Sequence, residues 1–393
     1  MMSTDKKQAV SPRRVAINVG SGYVPGMNAV IMGAALTAHK LGWEVVGIRD
    51  GFAGLILPER YPDGGLVSLT PQLIQNLDPT GGNILGQAAR VDPFNVRTVD
   101  EDGFIQEVDL SDQLLSTLKE KGIDALITAT GTRGMSVLYK LQQKGLNVIC
   151  IPRSVENDIA VTKVSFGFNS ALSFTIEMLD RMRQAAQSAH KIAVVEVLGK
   201  QSGWLALQSA IAVGADAVLI PEIPADLDQV AAHLKAKMSV SKPFGLVVVA
   251  EGAQFISTRK NQQKESSYKA SLSPLATGDS SDHVIKESGK AADTVATALQ
   301  LRIAEETFPM VLSPWTRGNA PTAVDRQLGI AYGASAIQAL KDGLNGVMVT
   351  FGAPKLDFIP LIDAINKVRT IPEDSDFLKV ARSIGISLGR NSS

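Results

Sequence analysis

The densest set of reactive side chains in the chain is Ile151-Pro152-Arg153-Ser154-Val155-Glu156-Asn157-Asp158. Two carboxylates stand two residues apart with an amide between them, and an arginine and a serine come just before. Such a set offers groups of both charges to a polar ligand. The preceding run, Leu146 to Ile151, is apolar, β-branched and bounded by turn signals, so it reads as a buried strand that Pro152 ends. The octapeptide then falls at the strand's C-terminal end, where ligands bind in open α/β sheets. Taken alone, a polar connecting loop explains it equally well.

Other polar loops follow apolar strands in the same way. Val15–Val19 runs into Gly20-Ser21-Gly22-Tyr23-Val24-Pro25-Gly26-Met27-Asn28 and then a helix to about Leu41. Strand, glycine-rich turn and helix is the geometry that aims backbone N–H groups at a phosphate. The spacing fits neither Walker A nor G-x-G-x-x-G, and many such turns bind nothing. Gly81-Gly82-Asn83-Ile84-Leu85-Gly86, with Arg90 after it, is either a backbone open to a ligand or a structural hairpin. Ala125–Ala129 feeds Thr130-Gly131-Thr132-Arg133 and a helix to Lys144. Ile192–Val197 leads into Leu198-Gly199-Lys200, and the very apolar Phe244–Ala250 ends at Glu251-Gly252. A carboxylate at the tip of a buried strand is a stronger candidate than one on a helix face. Arg317 follows a short strand, Met310–Leu312.

These loops need a scaffold of alternating strands and helices, expected as mostly parallel sheets covered on both faces. The length of 393 residues suits two such lobes sharing a cleft. The division expected is a tail over 1–14, a donor-binding lobe over 15–160 and an acceptor-binding lobe over 161–350. Residues 351–393 return to the first lobe. The stretch 256–283, rich in Lys, Gln and Ser, reads as a mobile loop within the second lobe.

Lys+Arg and Asp+Glu are 39 each, which speaks against nucleic-acid binding by bulk charge. The single cysteine, Cys150, cannot form an intrachain disulfide and fits a reducing, cytoplasmic setting. No apolar run reaches the roughly 18 residues of a membrane span. The polar first residues do not read as a signal peptide. His39, His190, His233 and His283 are scattered, unlike the clustered ligands of a metal site.

Pro25-Gly26-Met27-Asn28, Gly81–Gly86, Glu156-Asn157-Asp158, Gly199-Lys200, Glu251-Gly252 and Arg317-Gly318 occur together, in an order and at a spacing that resemble the phosphofructokinase family over about Val15–Gly389. The resemblance implies a phosphotransferase that moves a phosphoryl group, from ATP or pyrophosphate with magnesium, to the 1-hydroxyl of fructose 6-phosphate. It implies a two-lobed fold with the site in the cleft, and a homodimer or homotetramer. By that resemblance Glu156 stands for the general base, with Asp158 and Arg153 beside it. Ser154, Lys191, Leu198, Gly199, Lys200, Glu251 and Arg317 stand on the acceptor side. Gly22, Tyr23, Arg90, Gly131, Thr132 and Arg133 stand on the donor side.

The departures shape the expectation. The family's first catalytic Asp is Glu156 here, one methylene longer. The Asp that helps hold magnesium is Thr132, a poor ligand, so magnesium is expected at a weakened site with no confident protein ligand. Arg133 and Arg153 replace small residues of the ATP users; bulk there would exclude a nucleoside, and two guanidinium groups could grip pyrophosphate or another small polyanion. Phe308 and Pro314 replace an Arg and a His of the acceptor site. Two readings stay open: a pyrophosphate-type phosphotransferase, or a catalytically silent paralogue acting as a regulatory or structural partner.

Overall fold

The computed structural model describes residues 14–80, 82–86, 91–99, 103–256, 289–303, 305–313, 315–352 and 354–390. The expected tail over 1–14 (but for Arg14), Gly81, Arg90, Pro314, His283 and nearly all of the 256–283 stretch lie outside these residues.

The chain divides into two compact units. The first comprises residues 1–154, 159–170 and 320–367, and the second 155–158, 171–319 and 368–393. In the first, β1 (Arg14–Val19), β2 (Glu44–Ile48), β3 (Leu66–Ser68), β6 (Ala125–Thr130), β7 (Val148–Pro152), β14 (Val347–Gly352) and β15 (Lys355–Pro360) form one sheet. A separate antiparallel pair is β4 (Val96–Val99) with β5 (Ile105–Val108). The large sheet is ordered β15-β14-β7-β6-β1-β2-β3, with only the two edge strands antiparallel.

Register explains how this sheet positions its loops. Val19 pairs with Ala129, and Ala129 with Ile151. The C-terminal ends of β1, β6 and β7 are therefore level, and the loops at Gly20, Gly131 and Arg153 emerge side by side. One face of these strands, with Ala16, Val46, Leu126, Val148, Cys150 and Met348, packs against Leu114, Leu118, Met135 and Leu138 of the covering helices.

Helix Met27–Lys40 packs backbone to backbone on helix Ala323–Lys341. A Cβ on Gly33 would lie 2.1 Å from the Ile330 carbonyl oxygen, and one on Gly333 would lie 2.2 Å from that of Val30. Gly33→Ala gains about 1 kcal/mol of helix propensity. It costs about 1–3 kcal/mol of overpacking, since backbone cannot yield as a side chain can. A net loss is expected, read as a lower urea midpoint.

In the second unit β8 (Ile192–Val197), β9 (Ala217–Leu219), β11 (Gly245–Ala250) and β13 (Thr307–Val311) form a parallel sheet ordered β13-β8-β11-β9. A two-residue pair, β10 (Ala225–Asp226) with β12 (Phe255–Ile256), lies apart from it. Val197 pairs with Ala250, so Leu198–Lys200 and Glu251-Gly252 leave the sheet together. β13 is an edge strand, where Pro309 costs no ladder bond.

The division differs from the sequence expectation at both late boundaries. The return to the first unit begins at Ala320, because helix Ala323–Lys341 packs on Met27–Lys40 and β14 joins β7. The last segment, from Val368, belongs to the second unit. There the Ser387 carbonyl accepts from the Val218 N–H at 2.8 Å, and the Asp226 N–H donates to the Gly389 carbonyl at 2.7 Å. The opening octapeptide is itself divided, with Arg153 and Ser154 in the first unit and Val155–Asp158 in the second.

Candidate active site

In the second unit, Glu156, Lys200, Glu251 and Arg317 converge. Glu156 Oε1 lies 3.6 Å from an Arg317 guanidinium nitrogen, and its Oε2 accepts the Lys200 backbone N–H at 3.3 Å. Lys200 Nζ in turn lies 3.5 Å from Glu251 Oε1. The approach is close because Gly252 has no side chain: a Cβ there would meet the Lys200 carbonyl oxygen at 1.9 Å. The Gly252 N–H donates to the Gly199 carbonyl at 2.9 Å, tying the two strand ends together.

The Glu156 side chain is 18% exposed. Burial pushes its carboxyl above the ordinary range, Asp158 adds to the shift, and Arg317 and the Lys200 N–H oppose it. A carboxylate so held is a stronger base towards a hydroxyl than an exposed one. The Glu251 side chain is 10% exposed, and its Oε2 has no hydrogen-bond partner among the described residues. A buried acceptor left open is costly, and a ligand's hydroxyl would satisfy it. Leu198, which leads into Gly199 and Lys200, is buried.

Two buried carboxylates elsewhere are structural. Glu196 accepts from the N–H groups of Gly289, Ala291 and Ala292 at the start of helix Lys290–Ile303, and Asp325 accepts from Gly167 and Ser170.

Lys191 is not brought to this cluster. It precedes β8, whereas Lys200 follows it, and six residues of strand span about 20 Å. Its ammonium pairs instead with Glu306 at 2.5 Å. Phe308 stands at the same end, opposite Ala193.

In the first unit, Gly20-Ser21-Gly22, Gly131-Thr132-Arg133 and Arg153 come together. Gly22 and Arg133 are exposed, and Thr132 opens helix Thr132–Gln143 with Gly131 at its N-cap. Tyr23 packs against the second glycine loop, where a Cβ on Gly82 would lie 3.0 Å from its hydroxyl. Asn28 holds the same loop: its amide donates to the Asp78 carbonyl and accepts from the Ile84 N–H, both at 3.0 Å. The Ser154 N–H donates to the Phe166 carbonyl at 3.0 Å.

Arg153 does something the sequence did not suggest. It is 4% exposed, and its guanidinium donates to backbone carbonyls: Ala129 at 3.1 Å, Gly20 at 2.6 Å, and Ser21 and Gly22 at shorter range. Its planar fork is spent on shaping the glycine turn rather than presented to an anion.

Among the described residues no three His, Cys, Asp or Glu side chains gather as metal ligands. Thr132 supplies a neutral hydroxyl where a carboxylate would be needed, so these residues do not fit a magnesium ion held by the chain alone.

Comparison with known proteins adds independent findings. The family model described as Phosphofructokinase matches residues 14–340. The ATP-dependent 6-phosphofructokinase of Chloroflexus aurantiacus is 33% identical over 382 residues, covering 97% of this chain and 99% of that protein. The pyrophosphate–fructose 6-phosphate 1-phosphotransferase of Amycolatopsis methanolica is 32% identical over 365 residues, covering 92% and 97%. Among solved structures, the pyrophosphate-dependent phosphofructokinase of Marinobacter aquaeolei superposes with a TM-score of 0.72 at 17% identity. It covers 95% of this chain and 92% of that one, a likeness of fold.

Proposed function

The chain belongs to the phosphofructokinase family, and on that footing we propose that it transfers a phosphoryl group from pyrophosphate to the 1-hydroxyl of fructose 6-phosphate or a close sugar phosphate. The second-unit cluster is the acceptor side. Glu251 and Arg317 meet the sugar, and Lys200 adds a positive charge for the acceptor's phosphate. Glu156 takes the 1-hydroxyl proton as the new O–P bond forms and the bridging P–O bond of the donor breaks. Phosphate leaves with the bridging electrons, and Glu156 passes its proton to solvent. Positioning and charge stabilisation carry most of such a transfer.

The observation that carries the choice of donor is Arg153. Its buried guanidinium fills the ground beside the Gly20–Gly22 turn that a nucleoside-binding site would keep small, and Arg133 adds an exposed positive charge next to it. Most of the relatives' names give ATP as the donor and one gives pyrophosphate, so the pyrophosphate reading rests on the residues and not on those names. Magnesium belongs to this reading as a companion of the donor's phosphates. A homodimer or homotetramer belongs to this reading by family resemblance. No helix among the described residues is long and apolar enough to cross a membrane, and the one cysteine is buried, which supports a cytoplasmic enzyme.

The test is turnover of purified protein with fructose 6-phosphate and magnesium, offered pyrophosphate or ATP separately. Pyrophosphate is expected to support turnover at least about tenfold faster, a difference of about 1.4 kcal/mol in barrier height. Faster turnover with ATP would sink the donor assignment. Silence with both, from folded protein, would favour the catalytically silent paralogue, the reading that Thr132 supports.

A further inference from the structure

The loop that carries Glu156 and Asp158 is held from behind by a residue far away in sequence. Asn157 sits at φ 56°, a left-handed conformation that a non-glycine residue adopts at a cost unless its surroundings fix it. Arg369 supplies that fixing. Its backbone N–H donates to the Asp158 carbonyl at 2.8 Å, and its guanidinium donates to the Asn157 carbonyl at 3.3 Å.

Arg369 is itself immobilised. Its guanidinium lies over the Trp204 ring, 4.2 Å from the centroid, and the Trp204 indole N–H donates to the Arg369 carbonyl at 3.1 Å. The Phe377 ring meets Trp204 edge-on at 6.3 Å. Two residues further along, the Ile371 N–H donates to Glu222 Oε1 at 2.9 Å, and the same carboxylate accepts the Gly203 N–H at 3.0 Å. Gly203 ends the loop that carries Lys200. One short segment, Arg369–Ile371, thus braces both the Glu156 loop and the Lys200 loop.

We propose that Arg369, stacked on Trp204, is a positioning residue for phosphoryl transfer: it fixes the Asn157-Asp158 backbone so that Glu156 reaches the acceptor hydroxyl. The inference rests on the phosphotransferase reading for its catalytic consequence, and on the second unit alone for its geometry. Misplacement of a catalytic group by about 1 Å costs about 100-fold.

Arg369→Ala is therefore expected to lower kcat by about 10- to 100-fold while KM for fructose 6-phosphate changes less than about threefold. Both variants keep the backbone N–H to Asp158; Arg369→Lys also keeps a positive charge over the Trp204 ring and should recover part of the loss. Simple destabilisation would lower the urea midpoint and the active fraction together, leaving kcat per folded molecule unchanged. Trp204→Phe keeps a ring but deletes the indole donor, and serves as the second variant if Arg369→Ala does not fold; a loss of about threefold or more is expected.

The wild-type assay judges the functional reading by itself. Should it be silent, amide hydrogen exchange of residues 155–158 and 200 still decides the bracing claim. Arg369→Ala should speed exchange there by about tenfold or more, leaving β8 and β11 protected. A kcat within twofold of wild type, or unchanged exchange in the Glu156 loop, would overturn it.

Discussion

Glu156→Gln is expected to abolish turnover, lowering kcat by about 10²- to 10⁴-fold, the range that general-base catalysis commands. KM for the sugar phosphate should change less than kcat, because Gln keeps the size of Glu156, though its single carbonyl oxygen can keep only one of the contacts to the Lys200 N–H and Arg317. The pH dependence follows from the same group. Burial first, and Asp158 second, hold the Glu156 carboxyl above the usual carboxylate range. As a base it works only when ionised, so the acid limb of kcat/KM should fall at a pH higher than an exposed carboxylate would give, and Glu156→Gln should erase that limb.

Stability moves the other way. A carboxyl whose folded pKa is raised contributes its stabilisation below the unfolded pKa and loses it as pH rises through the folded value. At a pH above the folded value wild-type Glu156 has lost that contribution, and Gln has nothing to lose. Glu156→Gln should therefore match or exceed wild type in urea midpoint while being inactive. A variant that keeps more than a tenth of the activity would remove Glu156 from the base role. Glu156→Asp shortens the reach by one methylene and should shift kcat by about tenfold or more in either direction.

Much of this site was legible in the sequence because its positions are strand ends. Runs such as Ile192–Val197 and Gly245–Ala250 are apolar throughout, as strands buried on both faces must be, so the loops after them could be placed. The antiparallel β15 was missed because its burial alternates and it sits at the sheet edge. The β4–β5 pair was missed because Ile105 and Val99 are exposed. The roles of Arg153 and Arg369 had no local signal at all. Each depends on carbonyl groups distant in sequence: Gly20 for Arg153, Asn157 for Arg369. The family resemblance put Lys191 and Lys200 together on the acceptor side, but the length of one strand separates them.

Arg153→Gly is the larger test of stability. The side chain is buried and donates to the carbonyls of Gly20, Ser21, Gly22 and Ala129. Hydrogen bonds that involve a charged group contribute about 1.5–3 kcal/mol each, though not additively. Water entering the vacated space would restore part of that. A loss of about 3–5 kcal/mol is expected, at the top of the range for single substitutions, because a buried network is broken. It would be read from the urea midpoint at unchanged slope.

Arg153→Lys keeps the charge but replaces the planar fork with a point donor, and should recover less than half. These magnitudes also decide the donor question at this position. Glycine would open room for a nucleoside, yet the turn that must cradle the phosphates would lose its anchors in the same step. Activity with ATP should therefore not rise in Arg153→Gly, and activity with pyrophosphate should fall. A stable Arg153→Gly protein that turns over ATP would show that the guanidinium only fills space. Losses with both donors, together with a lowered urea midpoint, would show that shaping the glycine turn is what the buried arginine does.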